Sequence, residues 1–337
     1  MIDMFDGLAI VPGPKCRRCG HFVVGVWLLF GVWNPEFGPS RAAPLPPPTQ
    51  LNATHVGEGP AWHASSGSLY FTGNNRISRL DSNGNLHVFR EPSGGANGLI
   101  FDRQGRLVAC EAANRRVTRT EINGAITVLA DSYGGMKFNS PNDLTMDSKG
   151  RIYFSDPRYG NRDSMEMRDP SGKLVEGVYR IDAATNVTRI ITHQVERPNG
   201  VLVSPDDRHL FVADNNNNTI GGARKLWRFD LKPDGTIVDD SRKIIFDWKT
   251  SRGPDGIKID SANRLFVAAG LNKAAPPFET VEPYKAGIYV LSYEGKLLDF
   301  VAVPKDEVTN CVLGGVDLKT LYITAGGTLW SVSLKGL

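Results

Sequence analysis

The sequence predicts an all-β protein, a six-bladed β-propeller in which each blade is a four-stranded antiparallel sheet. A short pattern recurs six times: a polar residue, here called the anchor, precedes an apolar stretch, a polar turn and a second apolar stretch. Successive anchors are 39, 45, 57, 56 and 55 residues apart, which is typical of propeller blades. In addition, 36 Gly and 21 Pro supply turns, and no long stretch keeps a helical period. The anchors are Glu58, Asn97, Asn142, Asn199, Asp255 and Asn310.

Residues 1–48 do not follow this pattern. Basic residues at positions 15, 17 and 18 precede an apolar run over 22–33, and small residues and a proline-rich stretch follow. This order is typical of a secretory signal with a linker, so we expect cleavage near Ala42 or Ala43 and export to the periplasm or the outside. An uncleaved membrane anchor is the alternative, and a misassigned start would leave the protein cytoplasmic. The propeller is predicted to span 49–337.

The third repeat shows the four strands of a blade most clearly, over residues 144–147, 151–156, 177–182 and 187–191. Each is rich in β-branched and aromatic residues and is bounded by Gly, Asp, Asn or Ser. Repeats four and five keep the same order, whereas the sixth has three strands before the last residue. We therefore predict that an N-terminal strand over 51–56 completes the last blade and closes the ring.

Charge and cysteine content exclude some functions. A formal net charge of +3 over 337 residues favours neither nucleic acid nor an anionic membrane surface as a partner. Cys16 and Cys19 form a single CxxC, which is a weak zinc signal inside the predicted leader. Cys110 and Cys311 fall in different blades, so no disulfide is expected between them. Oligomeric state cannot be predicted.

The six anchors are predicted to converge. The first strand of a propeller blade lines the central channel, so residues at the start of that strand meet at one end of the channel. The loop between strands two and three lies on the same face. The long insertions fall in this loop, over 157–176, 215–224 and 270–286. Long loops around a ring of polar groups are typical of a pocket rim.

Two anchors are carboxylates, and these point to a cation. Asn or Asp before a strand is commonly a turn residue, and we interpret Asn97 and Asn310 in that way. Glu58 is a poor turn former between two glycines, and its carboxylate is expected to face the channel. Glu58 and Asp255 held together would repel, which a divalent cation relieves. Carboxylate and amide oxygens without His or Cys suit Ca²⁺, with Zn²⁺, Mg²⁺ or Mn²⁺ as alternatives.

At this point the chain resembles a known family, that of regucalcin (senescence marker protein), gluconolactonase and luciferin-regenerating enzyme. The resemblance covers nearly all of 56–337 and depends on GEGPAW, on the segments 110–119, 138–160 and 197–215, and on GPDGIKID. It is strongest to bacterial gluconolactonases. Carried over by motif, it implies Glu58, Asn199 and Asp255 as metal ligands and Asn142 as a substrate contact. Ala112 stands where many relatives have a His, and Ser140 stands where the regucalcin branch has an Arg; these differences affect substrate identity rather than the metal ligands.

The resemblance implies a metal-dependent lactonase that opens a sugar lactone to the aldonic acid with a cation-activated water. Asp255 is the candidate general base, and Asn142 is a candidate hydrogen-bond donor to the substrate. Two alternatives remain: a hydrolase of another lactone, ester or phosphotriester, and a non-catalytic binding propeller with a structural cation. Paired carboxylates at the axis favour the enzyme.

Other chemistry is less consistent with the sequence. There is no GxSxG motif, and the six His residues are scattered, which argues against a Ser-His-Asp triad and against zinc bound by His. Glu111 and Arg115 end the second strand of blade two, on the anchor face. Substrate contact and a structural ion pair are both open for them.

Overall fold

The computed structural model describes residues 45–335 and 337, and it confirms the predicted fold. Six four-stranded antiparallel sheets form a propeller, with one short 3₁₀ turn at Ala64–Ser66. The predicted leader, its CxxC and its cleavage site lie outside the described residues. Within them, no helix has the length and apolar character needed to cross a membrane.

Each of the first three blades is built from strands that follow one another in the chain and pair in that order. A small two-stranded hairpin stands between blades two and three. The strands of blade one are β2 (Glu58–His63), β3 (Ser68–Gly73), β4 (Arg76–Leu80) and β5 (Leu86–Arg90); those of blade two are β6 (Ala96–Phe101), β7 (Leu107–Glu111), β8 (Arg116–Thr120) and β9 (Ile126–Ala130); the hairpin is β10 (Ser132–Tyr133) with β11 (Met136–Lys137); and those of blade three are β12 (Leu144–Met146), β13 (Ile152–Asp156), β14 (Gly177–Ile181) and β15 (Val187–Ile191).

Blades four and five repeat this order, and blade six draws one strand from the N-terminal side of the propeller. The strands of blade four are β16 (Pro198–Val203), β17 (His209–Asn215), β18 (Arg224–Asp230) and β19 (Lys243–Asp247); those of blade five are β20 (Ile257–Ile259), β21 (Leu265–Ala269), β22 (Gly287–Leu291) and β23 (Leu297–Ala302); and those of blade six are β24 (Val308–Gly314), β25 (Thr320–Ala325), β26 (Thr328–Ser333) and β1 (Thr49–Leu51).

The closing strand is present, but its predicted bounds were wrong. Strand β1 covers Thr49–Leu51 and pairs antiparallel with β26, whereas 51–56 was predicted. The chain must turn from the rim of blade six to the channel strand of blade one, and residues 52–57 make that turn. His55 adopts a left-handed backbone with φ of 59°, which a continuous strand does not contain. Val56 is buried as a core residue between blades instead of pairing as a strand residue.

The hydrophobic core is divided among the interfaces between blades. Six clusters of buried apolar side chains occur in the described part of the chain, and each contains residues of two neighbouring blades. The cluster that closes the ring joins Leu69 and Phe71 of blade one to Leu329 of blade six. Because each blade buries both of its faces against neighbours, the ring is held by the same apolar burial that stabilises a sandwich.

Three turns between the first and second strands of a blade share one arrangement. Asp102, Asp147 and Asp260 each accept hydrogen bonds from backbone N–H groups of their own turn. Each also pairs with an Arg four residues later. These turns lie at the ends of the channel strands that are remote from the anchors. Their Asp and Arg side chains stabilise the turns, and the anchors lie at the opposite ends of the same strands.

Candidate functional site

The anchors stand where each channel strand begins, as predicted. Four of the six channel strands have a register shift at or next to the anchor, at Glu58, at Ala96–Leu99, at Pro198–Val201 and at Val308–Asn310. A bulge of this kind turns a side chain away from the regular alternation of a strand. The other two anchors, Asn142 and Asp255, stand two residues before the first residue of their strands. This local geometry directs polar side chains toward the mouth of the channel.

Neighbouring anchors approach closely because a glycine follows four of them. A Cβ on Gly59 would lie 1.9 Å from the carbonyl oxygen of Asn97, and one on Gly200 would lie 2.2 Å from that of Asp255. The backbones are also hydrogen bonded, since Gly200 N–H donates to the Asp255 carbonyl at 3.1 Å. Only glycine permits this spacing, so the repeated anchor-glycine pair sets the small radius of the mouth.

Glu58 is partly buried, and its carboxylate is held in place. Its Oε2 accepts a hydrogen bond from the Gly59 N–H at 2.6 Å. Burial, followed by repulsion from Asp143, raises the pKa of Glu58 to about 7. A glutamate that is costly to ionise at the channel mouth is a group that a positive ligand would stabilise in its charged form.

Asp255 lies in a similar environment, at the start of the channel strand of blade five. Burial raises its pKa well above the usual range, and the Glu58 carboxylate is the largest charge acting in the same direction. The guanidinium of Arg252 opposes this effect. The Glu58 carboxylate thus disfavours the ionised form of Asp255, in the direction that the sequence predicted.

The side-chain amides of Asn199 and Asn142, which are also anchors, provide neutral oxygen atoms at the channel mouth. Asn199 is buried, and its Nδ2 donates to the hydroxyl oxygen of Tyr159 at 3.0 Å. Within residues 45–335 and 337, the buried Oδ1 atoms of Asn199 and Asn142 have no hydrogen-bond partner. An unpaired buried acceptor is costly, and such atoms are commonly satisfied by a ligand or ion.

A third carboxylate and a lysine, which the sequence analysis did not single out, also face the channel. Asp143 is buried and its Oδ2 accepts from Asn310 Nδ2 at 3.4 Å, while Lys258 Nζ donates to Asn310 Oδ1 at 3.3 Å. Asp143 stands directly after its anchor, where four other blades have glycine. This difference from the other repeats is the sequence feature that could have identified Asp143 as a site residue. Three carboxylates against one ammonium leave two negative charges when all are ionised, which a divalent cation would neutralise.

Asn310 was interpreted as a local turn residue, and that interpretation was incomplete. Its Oδ1 does accept from the following backbone N–H, that of Cys311, at 2.8 Å. The same side chain also bridges Asp143 and Lys258 across the channel. Asn97 keeps a mainly structural role, since its Nδ2 donates to the Asn142 carbonyl at 3.3 Å.

The three insertions leave the blades on the anchor face, between strands two and three, as predicted. Arg197 joins two of them, because its Nε donates to Glu176 at 3.0 Å and its Nη1 donates to Asn218 at 2.5 Å. Arg252 binds Glu279 of the third insertion, with Nε–O distances of 2.6 and 2.8 Å. These buried ion pairs fix the rim, and they also satisfy both guanidinium groups.

Glu111 and Arg115 have structural partners. The Glu111 carboxylate accepts from Arg90 and Arg116 at 2.9 and 2.7 Å, and from Asn114 and Thr118. Arg115 donates to the Phe138 carbonyl and to Glu166. Substrate contact is therefore not needed to explain either residue. The partners of Glu111 lie on strands β5 and β8 and in its own turn, whereas Arg115 binds the segment before blade three and the first insertion.

Histidine and cysteine contribute no catalytic constellation in the described part of the chain. His63 is bonded to Ser66, His87 to Asp81, His193 to Asp169 and His209 to Tyr293, all at turns or strand ends. Cys110 and Cys311 are buried and form no disulfide within residues 45–335 and 337. No group of three or more His, Cys, Asp or Glu side chains is placed to hold a metal among residues 45–335 and 337. The candidate ligand set instead combines two carboxylates with the Asn199 amide.

A propeller with carboxylates and amides at one channel mouth defines a class of protein rather than one activity. Residues 56–327 match the SMP-30/Gluconolactonase/LRE-like region, and the chain belongs to this family. The predicted resemblance is thereby confirmed.

Relatives and solved structures agree. Gluconolactonase of Zymomonas mobilis is 27% identical over 302 residues, covering 82% of this chain and 78% of the relative. Pentonolactonase XacC of Haloferax volcanii is 24% identical over 279 residues, covering 81% and 82%. The structure of a gluconolactonase from Xanthomonas campestris has a TM-score of 0.68 at 24% identity, over 87% of this chain and 99% of that one. Regucalcin from Agrobacterium tumefaciens, described as a calcium-binding protein, has a TM-score of 0.65 at 16% identity, over 86% and 94%. The two structures support the fold.

The raised pKa of Glu58 makes the stability of the metal-free protein depend on pH. An acid whose pKa is higher when folded (about 7) than when unfolded (4.5) binds its proton more tightly in the folded state. Its contribution to stability is therefore full below pH 4.5 and is lost as the pH rises through 7. We expect the free energy of unfolding of wild type, relative to Glu58→Gln, to fall by about 1–3 kcal/mol between pH 5 and pH 8.

Urea unfolding of both proteins in EDTA, at several pH values, measures this difference. Burial also raises the pKa of Asp156 to about 7, but that group is present in both proteins and its contribution cancels. The pKa of Asp255 is raised by Glu58 in wild type only, which adds to the same loss of stability as the pH rises. If the unfolding free energies of wild type and Glu58→Gln change with pH in parallel, the assignment of a raised pKa to Glu58 is contradicted.

Proposed function

We propose that this protein hydrolyses a sugar lactone to the aldonic acid, with a water activated by a divalent cation held by Glu58, Asn199 and Asp255. Ca²⁺ is the preferred ion, because the set offers hard oxygen ligands only. One observation carries the proposal: the buried Oδ1 of Asn199 has no hydrogen-bond partner among residues 45–335 and 337, at a channel mouth where the Glu58 carboxylate raises the pKa of Asp255. The lactonase relatives support the reaction class.

The donor set fits a cation. Glu58 and Asp255 have raised pKa values, and a divalent cation between them would stabilise their ionised forms. When bound, the ion would polarise the lactone carbonyl and lower the pKa of a water molecule. It would also return the carboxylates of Glu58 and Asp255 to their ionised form, because protons and cations compete for the same oxygens.

The chain's own residues would supply proton transfer and orientation. Asp255 would accept the proton of the attacking water as general base, which fits its place at the mouth and its charge once the Glu58 repulsion is neutralised. Asn142 Oδ1, which has no partner among residues 45–335 and 337, would accept from a substrate hydroxyl, and the amide N–H₂ would donate to the lactone carbonyl. The three insertions form the rim that would select the substrate.

Metal removal tests this function directly. We expect the full chain to accelerate acid release from D-glucono-1,5-lactone over the protein-free rate, EDTA to abolish the acceleration, and Ca²⁺ to restore it. A five-membered pentonolactone, phenyl acetate and a phosphotriester define substrate range in the same assay. Calcium binding without turnover of any of these would contradict the enzyme and favour a binding propeller with a structural cation.

We further propose export by the N-terminal segment, on the basis of the residues before position 44 alone. N-terminal sequencing of protein secreted from an expression host tests this, and an intact Met1 on protein recovered from the cytoplasm would contradict it.

A further inference from the structure

The amide of Asn199 is fixed by a residue of the first insertion. Its Nδ2 donates to the Tyr159 hydroxyl oxygen at 3.0 Å. The Tyr159 hydroxyl in turn donates to the backbone carbonyl of Asn215 at 3.3 Å. Three elements are thereby joined: the 157–176 insertion, the end of β17 and the start of the channel strand β16.

The direction of this chain of hydrogen bonds is determined by chemistry. A backbone carbonyl can only accept, so the single proton of the Tyr159 hydroxyl is committed to Asn215. The phenolic oxygen is left as an acceptor, and Asn199 must present its NH₂ group to it. The other half of the amide, Oδ1, then faces away from Tyr159 and has no partner within residues 45–335 and 337.

Tyr159 is itself held by charged side chains of the rim. The guanidinium carbon of Arg197 lies 5.4 Å from the centre of the Tyr159 ring, within the range of a cation–π contact. Arg197 is bonded to Glu176 and to Asn218, which belong to the first and second insertions. The phenol therefore belongs to a buried network that connects both insertions to Asn199.

We propose that Tyr159 is a positioning residue that keeps the Asn199 amide oxygen, rather than its NH₂ group, directed at the cation. This inference rests on the proposed cation site. An Asn amide is nearly symmetric in shape, and only its hydrogen bonds determine which end faces the channel. With Phe at position 159, the ring and the Arg197 contact remain, but the acceptor that fixes the amide is lost.

Calcium titration calorimetry on the full chain tests the proposal. We expect Tyr159→Phe to weaken Ca²⁺ binding about 10-fold, as loss of an outer partner of a metal ligand commonly does. Tyr153→Phe is the matched control, because the Tyr153 hydroxyl is likewise a hydrogen-bond donor, with Asp147 Oδ2 and the Gly235 carbonyl as its acceptors on the opposite face of the propeller. Its Ca²⁺ affinity is expected to equal that of wild type, and thermal melts in EDTA check that both variants are folded.

A double-mutant cycle separates orientation from general loosening. Asn199→Asp has oxygen at both ends of the side-chain group, so orientation no longer matters, and adding Tyr159→Phe to it is expected to change Ca²⁺ affinity less than about 2-fold. Equal losses when Tyr159→Phe is introduced into wild type and into Asn199→Asp would overturn the orientation role. Wild-type affinity in Tyr159→Phe would overturn the inference and leave the cation site intact, whereas a wild-type protein that binds no Ca²⁺ would overturn both.

Discussion

Asp255→Ala is expected to lower lactone turnover by at least about 10³-fold while leaving the protein folded. The substitution removes a cation ligand and the candidate general base together, and either loss alone costs orders of magnitude. Stability is not expected to fall, because the Asp255 carboxyl is partly buried and Glu58 disfavours its ionisation, so its removal relieves an unfavourable charge. Steady-state acid release and a thermal melt of the same preparation measure the two effects.

Asp260→Ala is the matched control for this experiment. Asp260 lies at the other end of the same channel strand, β20, where it accepts from Arg264 Nε at 2.7 Å and from the backbone of its own turn. We expect the opposite pattern there, with a lower melting temperature and turnover close to wild type. An Asp255→Ala protein that retains wild-type turnover would exclude the proposed mechanism.

Gly200→Ala is expected to reduce both stability and cation binding. A Cβ at this position would lie 2.2 Å from the Asp255 carbonyl oxygen and 3.1 Å from Gly256 Cα, both of which are backbone atoms of the next blade. Neither can move aside without displacing β20, so we expect a loss of about 1–3 kcal/mol in unfolding free energy. Two candidate ligands flank this contact, and Ca²⁺ affinity is expected to fall as their separation changes.

Gly150→Ala provides the comparison. Gly150 has a φ of 77°, but a Cβ there would meet no atom within 4 Å, so its cost is backbone strain of about 1–2 kcal/mol without a clash. Chemical unfolding and calcium titration distinguish the two variants, because only Gly200→Ala should change the affinity. Unchanged Ca²⁺ binding in Gly200→Ala would show that the spacing between blades four and five does not set the site.

Much of the fold followed from the sequence because a propeller repeats. Anchors, turns and strand pairs recur at similar spacing, so the third blade could be read alone and its order carried to the others. The insertions were placed correctly because successive strands run antiparallel, which puts every second loop on one face. Strand β1 was misplaced because three residues at an outer edge carry little pattern.

The candidate site was only partly predictable for a different reason. Glu58 and Asp255 stand out as acidic anchors, whereas Lys258 looks like an ordinary strand residue and Asp143 differs from the other blades only by replacing the glycine that follows most anchors. Their contact through Asn310 joins blades three, five and six across the channel, which no local pattern encodes. Tyr159 belongs to an insertion that has no equivalent in blades one and two, so repetition gave no guide to its position.

The position of the cation is the most direct test of this account. Crystals of the full chain grown or soaked with Mn²⁺ would locate the ion by its anomalous scattering. The account predicts one strong peak at the channel mouth, within about 2.0–2.6 Å of carboxylate oxygens of Glu58 and Asp255 and of Asn199 Oδ1. A well-ordered channel mouth with no peak there at millimolar Mn²⁺, or a peak bound by other residues only, would contradict it.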